Sequence, residues 1–532
     1  PRRTLLSRSP SPIGTALHVS PLRVAIRLNI CAARQDLCRT LLGMNTRVVW
    51  FLLTLASILW PATLHAEVVL TQLSPRLSIS ASLRTRGEWW NWFEPSGTQN
   101  NDYAFLATVG RAALQWKDDA FDVVVEAQNS ALVGLPDDAT AQVPQGLLGL
   151  GGVYFAHNRR QEDTSVFLKQ GFLTFKRLGI AGLTLKGGRF EFSEGNEVLT
   201  KEPTLDWLKN VRLSQRLIGP FGWAHVGRSF DGGVASFTRA PLNFTVMASH
   251  PTQGGFDLAG MKEMDEIDLL YVAANLTRPS FAETSDARLF YIYYSDDRGL
   301  LKADNRPAAA RGADQRHIAI NTQGMHWISL LPTAAGPIDL LAWGALQVGD
   351  WGTLDHQAWA WDLEAGWQPK MLPWKPWLRI GYSRTSGDDD PTDGDHDTFF
   401  QIIPTARIYA YSAFYNLMNN EDAFAQLILR PFAGFVWRSD FHNIRLTESR
   451  DLWYQGAGAT LSDRNIGFGF PGRPAFGHRD LFQVAETSLS YDVTKWLTVN
   501  LYYTHIFGGR VIRAIYDGDN ADFGYIEVII KL

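Results

Sequence analysis

The sequence predicts an all-β protein, a transmembrane antiparallel β-barrel of about 18 strands with short periplasmic turns and long extracellular loops. Three observations lead there. Apolar and polar residues alternate with period two through most of the chain after residue 66. The connections between alternating segments are by turns short and long. No apolar run in that region reaches the roughly 18 residues that a membrane-spanning helix requires.

Residues 1–43 are rich in arginine, show no apolar periodicity and hold both cysteines, Cys31 and Cys38. The pattern changes at Met44. Arg47 supplies a positive charge, Val48 to Trp60 form an apolar run of 13 residues, and a small-residue region ends at Ala66. This is the layout of a secretory signal peptide, with an apolar run too short to span a bilayer. The expected organisation is an upstream segment over 1–43 that precedes the true start at Met44, or else forms a long leader. A signal peptide over 44–66 and an outer-membrane barrel over 67–532 follow. Cleavage after Ala66 leaves 466 residues without cysteine. It also leaves 42 basic against 53 acidic residues, a net charge near −11 that argues against a nucleic-acid partner.

The first strand is the clearest. Leu77, Ile79, Ala81, Leu83 and Thr85 form one face, and Ser78, Ser80, Ser82, Arg84, Arg86 and Glu88 form the other. An apolar outside and a charged inside suit lipid without and water within. Ala104–Lys117 and the segment from Phe121 to Gln128 form a hairpin about Asp118-Asp119. Further strands are predicted over 164–177, 181–191, 229–238, 242–250, 264–277, 286–296, 316–328, 338–350, 355–368, 376–385, 422–431, 434–446, 480–492, 496–507 and 523–532. Short turns fall at 117–120, 239–241, 432–433 and 493–495. Long segments fall at 129–163, 192–228, 297–315, 386–421 and 447–479. Aromatic clusters at Trp89–Phe93, Trp374 with Trp377, and Tyr502-Tyr503 are expected in the interfacial girdles. The last segment alternates to the final residue, with Ile526, Val528, Ile530 and Leu532 toward lipid, although the usual terminal aromatic is absent. A β-propeller would repeat every ~40–50 residues, and no such repeat is present.

Several short motifs resemble the alginate export family of outer-membrane barrels over about residues 76–532. Leu83-Arg84-Thr85-Arg86-Gly87-Glu88 is similar to its opening Arg-x-Arg-x-Glu strand. Gly188-Arg189-Phe190 stands where the family often has Gly-Arg-Gln, here without the glutamine. Phe230-Asp231-Gly232, Ser386-Gly387-Asp388 before Phe399-Phe400, Asp451-x-Trp453-Tyr454, Phe507-Gly508-Gly509 and Phe523-Gly524-Tyr525 fit as well. The resemblance implies an 18-stranded barrel with an arginine-lined lumen, which in the best-known members passes a polyuronate outward.

Strand parity turns Arg84, Arg86, Glu88, Arg111, Lys169, Arg379 and Arg438 inward. Arg189 joins them unless Gly187-Gly188 hides a bulge. Arginine pairs bidentately with carboxylate and stays charged, so such a lining would attract an anionic chain, provided that each contact is weak enough to release. Pairs such as Arg86 with Glu88, or Arg438 with Asp440, would instead fill the lumen. Arg212, Arg216 and Arg228 lie in the long segment 192–228 and are candidates for a constriction or gate. Residues 388–397 carry six aspartates, and Asp388, Asp390 and Asp393 are candidate Ca²⁺ ligands outside any EF-hand pattern. No catalytic residues are expected: His317, His326, His442 and His505 are scattered and no nucleophile-elbow pattern occurs.

The expected function is export of an anionic, alginate-like polysaccharide through the outer membrane of a Gram-negative bacterium. Uptake of small anionic nutrients is the second reading and a surface enzyme the third. The expected partners are the polysaccharide or small anions, membrane lipid and lipopolysaccharide, and a periplasmic secretion protein. The chain is expected to be monomeric, with no cofactor beyond the Ca²⁺ of the acidic loop.

Overall fold

The computed structural model describes residues 74–259, 261–277, 284–405, 414–455 and 472–532. The upstream segment and the signal peptide lie outside the described residues. Among these, no helix is long and apolar enough to cross a membrane. The chain crosses with strands.

Eighteen long strands follow in chain order: β1 (Leu77–Asn91), β2 (Asp102–Lys117), β3 (Phe121–Val133), β4 (Glu162–Phe175), β5 (Leu183–Phe190), β6 (Phe230–Arg239), β7 (Leu242–Pro251), β8 (Ile267–Thr277), β9 (Ser285–Asp296), β10 (Ile318–Leu331), β11 (Ile338–Trp351), β12 (Leu354–Trp367), β13 (Trp377–Thr385), β14 (Asn420–Leu429), β15 (Phe435–Leu446), β16 (Asp480–Thr494), β17 (Leu497–Gly508) and β18 (Asn520–Lys531). Each predicted strand is present with small shifts at its ends. Each pairs antiparallel with its neighbours in sequence, and β18 returns to β1, where Leu83 faces Ile530 on one side and Gly110 of β2 on the other. The sheet is therefore a closed barrel without a free edge, the form in which strands can cross lipid.

Side chains alternate as the sequence predicts. On β7, Leu242, Phe244 and Val246 are exposed while Asn243, Thr245 and Met247 are buried. The same alternation turns Ile526, Val528 and Ile530 of β18 away from buried Phe523, Tyr525 and Glu527. Gly524 faces Trp89 across the β1–β18 pair, and a Cβ there would stand 2.0 Å from the indole. The glycine of the Phe-Gly-Tyr motif thus makes room for a cross-strand tryptophan.

Connections at one rim are short, as at 118–120, 240–241 and 495–496, and both ends of the barrel chain lie there. Those at the other rim are long, except the tight 352–353 turn. Aromatic residues correct part of the expectation. Trp90, Trp92, Phe93, Trp377 and Tyr502 are buried inside instead of joining a girdle. Trp92 stacks on Phe414 with centroids 4.8 Å apart. The exposed Trp116, Trp367, Trp374, Trp437 and Trp496 ring the short-turn rim, where indoles suit the membrane interface.

Leu346 lies on the outer face near the middle of β11 and is 64% exposed. Leu346→Arg should destabilise the barrel by about 2–4 kcal/mol, read by denaturant unfolding in lipid vesicles. An equal loss from Leu346→Ala would show that charge in lipid is not the cause.

Candidate functional site: the obstructed lumen

The lumen is not an open tube. The connection from β5 to β6, residues 191–229, folds inward and holds a short helix α1 (Pro203–Leu208) continued by a wider turn over Lys209–Leu213. Glu202 caps α1, its side chain accepting from the Leu205 N–H, and Pro203 pre-sets the first turn. From there the segment crosses between opposite walls. Near β9, Lys209 Nζ lies 2.9 Å from Asp286, and Glu194 lies 2.6 Å from Arg288. At the other side, His225 Nε2 lies 2.8 Å from Glu88 of β1, and the Val226 carbonyl accepts from Gln128 of β3 at 3.0 Å. A second inward segment, 386–405, runs alongside it: Gly219 N–H donates to the Ile403 carbonyl at 2.9 Å and Ile403 N–H to the Leu217 carbonyl at 3.0 Å.

Arg212 and Arg216 are both buried. Arg212 bonds Glu364 of β12 at 2.7 Å, and Arg216 bonds Asp362 two residues away on the same inner face. Arg379 of β13 completes the network, joining Glu364 at 2.6 Å and also Asp339 of β11. Three guanidinium groups thus face three carboxylates, which keeps a buried cluster electrically balanced. Rings cover the cations: Arg212 lies 4.6 Å from the Phe424 ring centre and Arg216 lies 5.0 Å from that of Trp343. Arg228 is held by the carbonyl oxygens of Gly219, Ile403 and Pro404 at 2.9–3.1 Å. All three arginines expected in a constriction do enter the lumen.

The wall residues divide. Arg86 is buried against Glu527 at 2.6 Å and Glu88 at 3.3 Å, and Arg438 pairs with Asp440. Lys169 is the extra residue of a bulge between β3 and β4; it keeps the inward face of Ser165 and Phe167 and reaches the Arg228 carbonyl at 2.7 Å and Glu191 at 3.3 Å. Arg84 donates to the Gly222 and Ala224 carbonyls at 2.7 and 2.6 Å and stands farther, 3.8 Å, from Glu527. Arg111 lies 3.0 Å from Glu191. Arg84 and Arg111, with Lys531, line a cavity of about 470 Å³ whose remaining wall includes Gln215, Trp223 and Glu191. Ser82 and Lys531, also at its wall, belong to the short-turn half of the barrel.

Arg189 is a correction. It alternates with fully buried Phe190 and pairs at 2.6 Å with Asp231, which alternates with fully buried Phe230. Both therefore face outward, and the ion pair lies on the outer wall near the long-loop rim. Sequence reasoning missed the acids Asp339, Asp362 and Glu364, although their parity on β11 and β12 marks them as inward. It also missed Lys531 and the Glu194–Arg288 pair.

The acidic loop is a second correction. Asp388, Asp390 and Asp393 do not converge. Asp388 accepts from Asp390 N–H at 3.0 Å, Asp390 from Thr392 N–H at 3.1 Å and Asp393 from Asp395 N–H at 2.9 Å. Their carboxylates brace successive turns of the loop. The Ser-Gly-Asp and Asp-x-Trp-Tyr motifs instead meet each other. Asp388 N–H donates to Asp451 Oδ2 at 3.1 Å, and Asp451 also accepts from Thr398 at 2.6 Å and Tyr454 at 2.7 Å. Gly387 is needed because a Cβ there would stand 2.0 Å from the Asn419 side chain.

A closed, lipid-compatible barrel of eighteen strands with an inward-folded connection defines an outer-membrane channel protein of many passes. The sequence profile described as alginate export matches residues 76–524, and the chain belongs to that family. No curated protein matches it significantly. Among solved structures it is similar to Pseudomonas aeruginosa OccK1 (OpdK), with a TM-score of 0.51 and 8% identity over 85% of this chain and 98% of that one. Acinetobacter baumannii OccAB4 gives a TM-score of 0.51 and 10% identity over 86% and 99%. Pseudomonas aeruginosa OccK9 (OpdG) gives 0.50 and 10% over 86% and 98%. At these identities the likeness is one of fold.

Glu364→Gln removes the carboxylate shared by Arg212 and Arg379. It should cost about 3–5 kcal/mol and loosen segment 191–229, read as faster proteolysis there and larger single-channel conductance. Unchanged proteolysis would refute the anchoring role.

Burial and the nearby Asp451 push the Asp388 carboxyl up to about 7, and burial pushes Asp451 up to about 6. Asp393 adds to the effect on Asp388, while bonds from Asp390 N–H and Asn305 oppose it. Thr398 and Tyr454 oppose it at Asp451. An unfolded aspartate titrates near ~3.9, so the folded loop holds protons that the unfolded one lacks between there and neutrality. Loop stability is full in acid and falls as pH rises through the folded values. Hydrogen exchange of 386–405 should therefore quicken from about pH 5 to about pH 8 beyond the intrinsic rise, and Asp388→Asn should remove most of the difference.

Proposed function

We propose that this barrel passes an anionic polysaccharide of the polyuronate class outward across the outer membrane, with segment 191–229 as its gate. The observation that carries the reading is the cavity at the short-turn side. Its wall holds Arg84, Arg111 and Lys531, with the acid Glu191 among them. Arg84, held by the backbone carbonyls of Gly222 and Ala224, can bind a carboxylate and let it go, which conduction requires, and Arg111 can exchange Glu191 for a carboxylate of the solute. Membership of the alginate export family supports the substrate class. The family and the similar barrels support a transport role over catalysis.

In this conformation the crossing segment closes the path to a polymer. Passage needs that segment to swing on its ion pairs with Asp362 and Glu364, and a periplasmic partner delivering the chain would supply the push. A second reading rests on the size of the cavity: about 470 Å³ fits a small solute better than a chain. It assigns uptake of small organic anions to the same cations. Both readings place a monomer among lipid and lipopolysaccharide.

Replacing Arg84 and Arg111 together with Glu should reverse the anion preference of single channels in planar bilayers, while heat-modifiable migration confirms an assembled barrel. Unchanged selectivity would refute the role of these residues. Block of the wild-type current by polyuronate and not by small carboxylates favours export. The opposite pattern favours uptake.

A further inference from the structure

We infer that the inner wall of β14–β16 holds a binding site for one divalent transition-metal ion, apart from the gate and the cavity. Arg438, Asp440 and His442 follow one another on the inner face of β15, and Glu486 of β16 stands directly across from Asp440. One ligand atom from each of Asp440, His442 and Glu486 lies within 4.8 Å of the others, and all three side chains are buried. Among the described residues this is the one group of three or more such side chains close enough to hold a metal.

Unpartnered atoms make a second, independent observation. His442 Nδ1 lies 2.8 Å from Asp422 Oδ2 of β14, whereas Nε2 of this fully buried ring has no hydrogen-bond partner. Asp440 Oδ2 accepts from Arg438 and, at 3.0 Å, from Gln426, whereas Oδ1 has no partner. Buried polar atoms are rarely left unsatisfied, and two in one cluster are available to bind an ion. Charge points the same way. Asp422, Asp440 and Glu486 bring three carboxylates; Arg438 pairs with Asp440, and a neutral His442 bonds Asp422 without adding charge. A divalent cation closes the balance.

The donor set selects the metal. An imidazole nitrogen with carboxylate oxygens suits Zn²⁺ and its neighbours better than Ca²⁺ or Mg²⁺, which prefer oxygen alone. The support is built in: Asp422 orients the imidazole through Nδ1–H, leaving Nε2 as the ligand, and the Tyr502 hydroxyl donates to Glu486 at 2.8 Å. The three ligands must draw together from their present spacing to reach Zn–N and Zn–O distances of about 2.0–2.2 Å. The bound ion would tie β15 to β16 from within.

The test uses the mature barrel in detergent, stripped by chelator and titrated with Zn²⁺, with metal counted per chain after desalting. The wild-type chain should retain one Zn²⁺ and unfold at a higher temperature with it. His442→Ala should weaken binding at least about 100-fold and Asp422→Asn about tenfold, with heat-modifiable migration intact in each. Retention by His442→Ala equal to that of the wild type overturns the site, as does a wild-type chain that retains no Zn²⁺. Should His442→Ala fail to assemble, Co²⁺ added to the stripped wild-type barrel decides. Ligand-field bands of a nitrogen-containing site support the assignment, and a spectrum of hydrated Co²⁺ alone overturns it.

Discussion

Hydrocarbon offers no hydrogen bonds, so a chain that crosses it in strands must pair every backbone N–H and C=O within itself. The ladder between β1 and β18, from Ser82 with Lys531 to Asn91 with Asp522, meets that demand by removing the last free edge. The rest of the molecule depends on this closure. It sorts every strand into a lipid face and a lumen face, and so decides where charge can lie.

The lumen side of that division is crowded with charge. Arg86, Arg212, Arg216, Arg288 and Arg379 are all nearly inaccessible to solvent, and each has a carboxylate within hydrogen-bonding reach. Such pairs add little to stability when compared with apolar packing, yet breaking one is costly. Those of Arg212, Arg216 and Arg288 therefore hold the crossing segment in one place, and those of Arg86 and Arg379 tie wall strands to one another. In the gating we propose, opening exchanges these pairs for others that a charged substrate brings.

Contacts along the lumen follow three chemistries. Around Glu364 the charges balance within the protein. Around Arg84 and Arg111 the cations face a cavity, the place where we propose that an anion passes. Around Asp440, His442 and Glu486 acid is in excess and two buried atoms lack partners, which fits them for a resident cation.

The sequence by itself determined the class, the strand number and the rim at which each loop lies. These follow from local rules: side chains alternate along a strand with period two, and turn residues bound each segment. Parity also placed Arg84, Arg86, Glu88, Arg111, Arg379 and Arg438 on the inner wall. It placed Lys169 there as well, and it failed at Arg189, which shares the outer face of β5 with exposed Leu185, the ladders running past Gly187-Gly188 without a register shift. Only the tertiary structure decided which charges are neutralised and which face open space. Arg86 finds Glu527 from the far end of the chain, Arg212 finds Glu364, and Asp388 finds Asp451 in place of its neighbours Asp390 and Asp393. Such pairings join residues remote in sequence, brought together by closure of the barrel and by loops folding into it, and no local period encodes them.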